Sequence, residues 1–248
     1  MISNFSQALK TEKLTKQFDG VRAVDNLSIE IAEGMITGII GPNGSGKTTL
    51  INLISGMLSF DGGAVIIGNV KLNQIRPYEI STYGITRTFQ NIRLFEQMTT
   101  LDNILVVLTE RNVFGSFFEK HQEYHLKRAE EVLRKVGLWD QRSQLAVNLS
   151  YGQRKLLEIA RVLSMRAEIY LLDEPFAGLF PEMKKIVSGI VGELKQEGKT
   201  VILIEHNMDI IRSLCDYVFV MDEGKLLAEG KPSEVLEQRS VIEAYLGE

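Results

Sequence analysis

Apolar residues along this chain recur in two rhythms. Short unbroken runs rich in β-branched residues occupy 35–40, 169–172, 200–204 and 217–221, and each reads as a buried strand. Between them, apolar positions fall at helical spacing. Residues 48–56 form one such segment, closed by Gly56. Leu126, Ala129, Val132, Leu133 and Val136 share a face, with Gly137 as the stop. A third helix starts after Ser150, a natural N-cap, and carries Leu156, Leu157, Ile159, Ala160 and Leu163. A fourth spans 181–196, with Ile186, Val187, Ile190, Val191 and Leu194 inward and Gly198 beyond its end. Buried strands alternating with helices predict a mostly parallel sheet covered on both faces.

The first third of the chain has a different texture. Strand-like pieces at 8–14 and 23–31 flank a turn at Phe18-Asp19-Gly20, and Glu33-Gly34 closes the second. Residues 58–72 read as a hairpin with Asp61-Gly62-Gly63 as its turn. From about 101 to 137 the pattern is mainly helical, interrupted at 111–122 where Phe114, Phe117 and Phe118 surround Gly115. That cluster reads as local core.

Bulk composition narrows the class. The chain has 248 residues, 44% hydrophobic and 24% charged, as an ordinary globular protein does. A net charge of −4 gives no reason to expect nucleic acid. The single cysteine, Cys215, excludes an internal disulfide, fits a reducing compartment and reads as apolar filler in a helix. The first residues lack a signal-peptide pattern, and no apolar run approaches the ~20 residues that span a bilayer. The expected location is the cytoplasm.

The chemistry concentrates at Gly41-Pro42-Asn43-Gly44-Ser45-Gly46-Lys47-Thr48, which fits G-x-x-x-x-G-K-[ST] between a strand and a helix that runs on through Thr49. Glycines let the backbone wrap phosphate oxygens, whose charge the loop N–H groups and helix N-terminus attract. Lys47 places a cation on the terminal phosphates, and the Thr48 hydroxyl suits Mg²⁺. A nucleoside triphosphate is the expected ligand. Asp173 and Glu174 close the 169–172 strand at the sheet edge where such ligands bind. There Asp173 can hold the Mg²⁺ shell while Glu174 takes a proton from an attacking water. His206 follows another buried strand, so it shares that edge and can contact the γ-phosphate or orient the water and Glu174. His121 and His125 lie on a polar helical stretch without a third metal ligand. Phe18, a loop aromatic ahead of the phosphate loop, either caps a hydrophobic edge or stacks on the nucleotide base.

The set taken in order resembles the ATP-binding cassette (ABC) ATPases: phosphate loop 41–48, Gln90, Leu149-Ser150-Tyr151-Gly152-Gln153, Asp173-Glu174 and His206. The resemblance implies an α/β fold, a P-loop NTPase (RecA-like) core with an antiparallel β subdomain and an inserted helical subdomain. The core would take approximately 1–90 and 164–248 and the helical signature subdomain 91–163. It makes Phe18 the adenine-stacking aromatic and Gln90 the residue that senses Mg²⁺ and the γ-phosphate. Ser150, Tyr151, Gly152 and Gln153 become the signature that binds the ATP of a second protomer, so two ATP lie head to tail between two cassettes. Two positions depart from the pattern. Tyr151 stands where many members have glycine, and Phe180 stands where the dimer-contact loop usually carries Asn or Asp.

The stretches Arg87-Thr88-Phe89-Gln90-Asn91-Ile92-Arg93-Leu94-Phe95, Ile204-Glu205-His206-Asn207-Met208 and Val241-Ile242-Glu243-Ala244-Tyr245-Leu246-Gly247, with Tyr151, look like the ATPase subunits of branched-chain amino acid importers. That implies ATP and Mg²⁺ as cofactors and a second ATPase subunit as partner. It also implies membrane permease subunits at the inner face of the membrane and, indirectly, an extracytoplasmic binding protein. The rivals are an exporter ATPase such as a lipopolysaccharide-type one, a soluble ABC ATPase acting on nucleic acid or ribosomes, and a nonhydrolytic binding module. Intact Lys47, Asp173, Glu174 and His206 argue against the last.

Overall fold

The computed structural model describes residues 6–88, 92–108 and 119–246, with side chains omitted at 119–122. The chain divides into two compact units, one of Met1–Arg87, Ala167–Glu174 and Val191–Glu248, the other of Thr88–Arg166 and Pro175–Ile190. Residues 175–190, expected beside the nucleotide-binding core, cluster instead with the helical residues.

The first unit holds two sheets. β1 (Gln7–Phe18), β2 (Val21–Leu27), β3 (Glu30–Ala32), β5 (Gly62–Ile67) and β6 (Val70–Leu72) form an antiparallel one. The other has the order β11-β10-β4-β9-β8-β7, from β4 (Ile36–Ile40), β7 (Ile85–Arg87), β8 (Ile169–Asp173), β9 (Thr200–Ile204), β10 (Tyr217–Asp222) and β11 (Lys225–Gly230). Its strands pair parallel except at the β10–β11 edge. β4, β8 and β9 are buried at every position, which is why they read as continuous apolar runs. One core cluster joins the sheets through α1 (Lys47–Ile54), whose Leu50, Ile51, Leu53 and Ile54 sit among Leu9, Leu14 and Val65 and among Ile39, Ile202 and Phe219.

The expected hairpin at Phe18-Asp19-Gly20 is present. Asp19 and Gly20 have φ of 46° and 87°, as a tight two-residue reversal requires. Two other expectations need correction. The piece at 23–31 is two strands, because the buried Thr11 hydroxyl donates to the Leu27 carbonyl and accepts from the Ile29 N–H, bending the chain between them. The 58–72 hairpin turns at Gly68-Asn69, while Gly62 and Gly63 lie within β5. Asp61 is committed elsewhere, accepting from Lys16 Nζ and the Gln17 N–H.

The second unit contains α2 (Thr100–Leu108), α3 (Glu119–Lys135), α4 (Tyr151–Ser164) and the start of α5 (Pro181–Gln196). Ala129, Val132, Leu133 and Val136 are buried as the helical spacing requires, but Leu126 is exposed. Gly137 closes α3 with a φ of 74°. Its N–H bonds Arg134 O and the Leu138 N–H bonds Leu133 O, satisfying the carbonyls a helix end leaves open. Gly198 repeats this after α5. The Phe114, Phe117 and Phe118 cluster lies outside the described residues, as does Gln90.

The small helix α6 (Met208–Leu214) buries Ile211 alone, with that side chain against Gly38 of β4. Cys215 sits just past it rather than within it, with its sulfur against Gly38 of β4, where a Cβ would approach Sγ to 3.1 Å. Burial, reinforced by Asp216 and Glu205, raises the thiol pKa to about 12 from an ordinary 9.0. Ionisation is therefore easier in the unfolded chain. The stability this thiol contributes is complete below pH 9 and declines as pH rises toward 12. Urea titrations should show the gap between the unaltered chain and Cys215→Ala narrowing over that range.

Candidate nucleotide site

The phosphate loop leaves β4 at Gly41 and enters α1 after Gly46, the helix N-cap, whose φ of 98° places it in the left-handed region. Glycine is required at both ends of the loop for reasons of space as well as conformation. A Cβ on Gly41 would lie 2.1 Å from the Met221 carbonyl oxygen, and one on Gly46 would lie 2.2 Å from that of Ala23. The β10–β11 turn completes the support, with the Gly224 N–H donating to Ser45 O at 3.1 Å. A wall of backbone groups from β2 and β10–β11 thus holds the loop from behind.

Lys47 is buried, and its ammonium donates to the carbonyls of Gly41 (2.8 Å) and Pro42 (2.7 Å) and to Ser45 Oγ (3.3 Å). Asn43, Gly44 and Thr48 are exposed, and Thr49 is half-buried. α1 has neither a side-chain cap nor an acidic residue in its first turn. By contrast, Asn207 Oδ1 caps α6 by accepting from the N–H groups of Asp209 and Ile210. A helix start that supplies no anion of its own favours one from a ligand.

The register of the sheet brings the other predicted residues to the same edge. Asp173 pairs with Ile204, and Ile204 pairs with Ile39, two residues before the phosphate loop. Asp173 therefore lies two strand spacings, about 10 Å, from the end of β4. Glu174 follows with a φ of 47°, and its N–H still bonds Ile204 O at 3.0 Å. A non-glycine residue held in the left-handed region costs on the order of 1–3 kcal/mol, and such residues cluster at working sites. His206 Nε2 lies 3.1 Å from Glu174 Oε1. The pair expected at one strand edge is a direct contact.

Phe18 ends β1 with 42% of its surface exposed and the Lys16 ammonium 5.4 Å from its ring centroid. In the second unit, Ser150 and Gln153 form a reciprocal capping box at the start of α4. The Gln153 N–H donates to Ser150 Oγ (3.3 Å) and the Ser150 N–H to Gln153 Oε1 (2.9 Å).

Comparison with known proteins decides the family. The family described as ABC transporter matches residues 24–177. The high-affinity branched-chain amino acid transport ATP-binding protein LivG of Salmonella typhimurium is 37% identical over 97% of this chain and 98% of its own length. The chain belongs to the ABC transporter family. A further family, described as Branched-chain amino acid ATP-binding cassette transporter, matches residues 225–248. Among solved structures, the ADP conformation of an ATP-binding cassette of an ABC transporter is 37% identical, covers 98% of this chain and 99% of its own, and has a TM-score of 0.85. A dimeric cassette in a post-hydrolysis state, bound to ADP and Pi, is 27% identical over 90% of this chain and 98% of its own, with a TM-score of 0.80. The mixed α/β architecture is that of a P-loop ABC ATPase cassette.

The departures from the ABC pattern have a structural setting. Gly178, at a φ of 70°, lacks the Cβ that would stand 2.6 Å from Tyr151 Cε1, so the bulky ring at 151 rests on a glycine. Phe180 is 71% exposed. Sequence reasoning gave no role to Arg87, the last residue of β7. In the structure its guanidinium donates to Asn52 Oδ1 (2.9 Å) and Ser55 Oγ (2.5 Å), and Nη2 stands 3.6 Å from Asp173 Oδ2. Nothing in the residue order marks it, because Asn52, Ser55 and Asp173 all lie far from it along the chain.

Proposed function

We propose that this cassette binds MgATP and hydrolyses it as the ATPase subunit of an importer for branched-chain or related amino acids. The observation that carries the chemistry is the Glu174–His206 contact at the sheet edge that bears the phosphate loop. The cargo reading is supported by the match of residues 225–248 and by likeness to LivG along nearly the whole chain.

In this reading Gly41, Pro42, Asn43, Gly44, Ser45, Gly46 and Lys47 hold the ATP phosphates, with Thr48 and Thr49 at the helix end. Lys47 exchanges the loop acceptors it holds for phosphate oxygens. Mg²⁺ fits the edge, since Thr48 offers an exposed hydroxyl and Asp173 a buried carboxylate, the oxygen donors a hard cation takes. When bound, the cation would neutralise charge developing on the β- and γ-phosphates. Glu174 accepts the proton of the attacking water, and His206 holds the Glu174 carboxylate in place and reaches the γ-phosphate. Gln90 is proposed to report on the γ-phosphate.

Ser150, Tyr151, Gly152 and Gln153 contact the ATP of a partner cassette, so a single copy is half of each catalytic site. Closure and reopening of the pair would move permease subunits at the inner face of the membrane. No helix among the described residues is long and apolar enough to cross it. Uptake of labelled leucine in cells with and without the chain tests the cargo. Copurification of ribosomes or nucleic acid instead of permease subunits would overturn transport.

Phe18 gives a finer test. If the ring stacks on adenine, Phe18→Ala should raise KM for ATP about 5- to 10-fold, the size of one lost stacking contact, with kcat nearly unchanged. Loss of kcat at constant KM would remove Phe18 from the base site.

A further inference from the structure

We infer that Arg87 is a positioning residue for the metal side of the site, a reading that rests on Asp173 as a cation ligand. Asp173 is 1% exposed and the Arg87 side chain 8%. A carboxylate that deep requires a compensating cation, and Arg87 stands 3.6 Å from it. The arginine is in turn fixed by two neutral acceptors one turn apart near the end of α1, Asn52 Oδ1 and Ser55 Oγ. Ser55 is itself 2% exposed.

These contacts close a circuit. α1 begins at the phosphate loop with Lys47 and Thr48, and ends at Asn52 and Ser55. β7 lies directly beside β8, Arg87 pairing with Leu171, so the guanidinium spans from the helix end to the strand end. Arg87 therefore fixes the spacing between two oxygen donors supplied by different elements, the Thr48 hydroxyl and the Asp173 carboxylate. Guanidinium geometry suits the task, because its planar fork reaches two acceptors on one side and a carboxylate on the other. A lysine has one nitrogen and keeps the charge without the brace.

Mn²⁺ titrated into the ADP-loaded full chain and followed by electron paramagnetic resonance reads metal affinity without turnover. Arg87→Gln should weaken Mn²⁺ about 10-fold, as losing the group that orients a ligand does, while ADP affinity in EDTA stays within about twofold of the unaltered chain. Arg87→Lys should recover part of the loss. Asn52→Ala should weaken Mn²⁺ about 2- to 3-fold alone and add nothing in the Arg87→Gln background, since both act through one brace. Should Arg87→Gln fail to fold, Asn52→Ala and Arg87→Lys carry the test. Asp173→Asn separates the two readings. Unchanged Mn²⁺ affinity in Asp173→Asn overturns the metal role of Asp173 itself. Weakening there, with Arg87→Lys and Asn52→Ala at the unaltered value, overturns the brace.

Discussion

Glu174→Gln protein should bind ATP as tightly as the unaltered chain yet turn it over at least about 100-fold more slowly, the range a lost general base accounts for. The exchange is close to isosteric. A glutamine still has an oxygen for His206, whose Nε2 lies 3.1 Å from Glu174 Oε1, so the contact survives while the proton acceptor is lost. In the proposed reading, binding rests on a different set of groups, the phosphate loop and α1, which the substitution does not touch. With turnover blocked, ATP should hold two cassettes together, and gel filtration with ATP should show a species of twice the mass. Ordinary phosphate release from this variant would remove Glu174 from the base role. Retained slow turnover with no ATP-dependent dimer would instead place the fault in the composite-site reading.

Gly46→Ala should unfold at distinctly lower denaturant, losing about 2–3 kcal/mol, and should weaken ATP binding more than about 10-fold. Two effects add. An alanine at a φ of 98° takes on the conformational cost of a left-handed residue, about 1–2 kcal/mol. Its methyl would also stand 2.2 Å from the Ala23 carbonyl oxygen, so either the loop or β2 must move. Gly44→Ala is the control. Its φ of 78° carries a similar conformational cost, but its Cβ meets nothing within 4 Å. Urea titration of the nucleotide-free proteins should therefore separate the two variants, and equal losses would dismiss the wall behind the loop.

Much of this was legible from residue order because local chemistry and fold agree. The helix 181–196 was delimited by Pro181 and Gly198, and the structure places it at Pro181–Gln196. β8 and β9 were visible as apolar runs because both faces are covered. What escaped is of another kind. The 58–72 turn was misplaced because Gly62 and Gly63 carry the ordinary turn signal. Gly63 is glycine for a different reason, since a Cβ there would lie 2.4 Å from the Glu12 and Lys13 carbonyl oxygens. The split at 28–29 depends on a single hydroxyl, Thr11, 16 residues from Leu27 in sequence. Arg87 was invisible as a functional residue because its partners, Asn52, Ser55 and Asp173, meet only in three dimensions.

The surface that backs the phosphate loop has a consequence for how the sequence can vary. Gly41 and Gly46 are confined by the carbonyl oxygens of Met221 and Ala23, atoms that every amino acid possesses. The constraint therefore falls on the path of the chain at residue 23 and hardly on what that residue is. In a library saturated at each position and selected for growth on imported amino acid, positions 41 and 46 should return glycine almost alone. Position 23, in direct contact with the loop, should return a broad assortment.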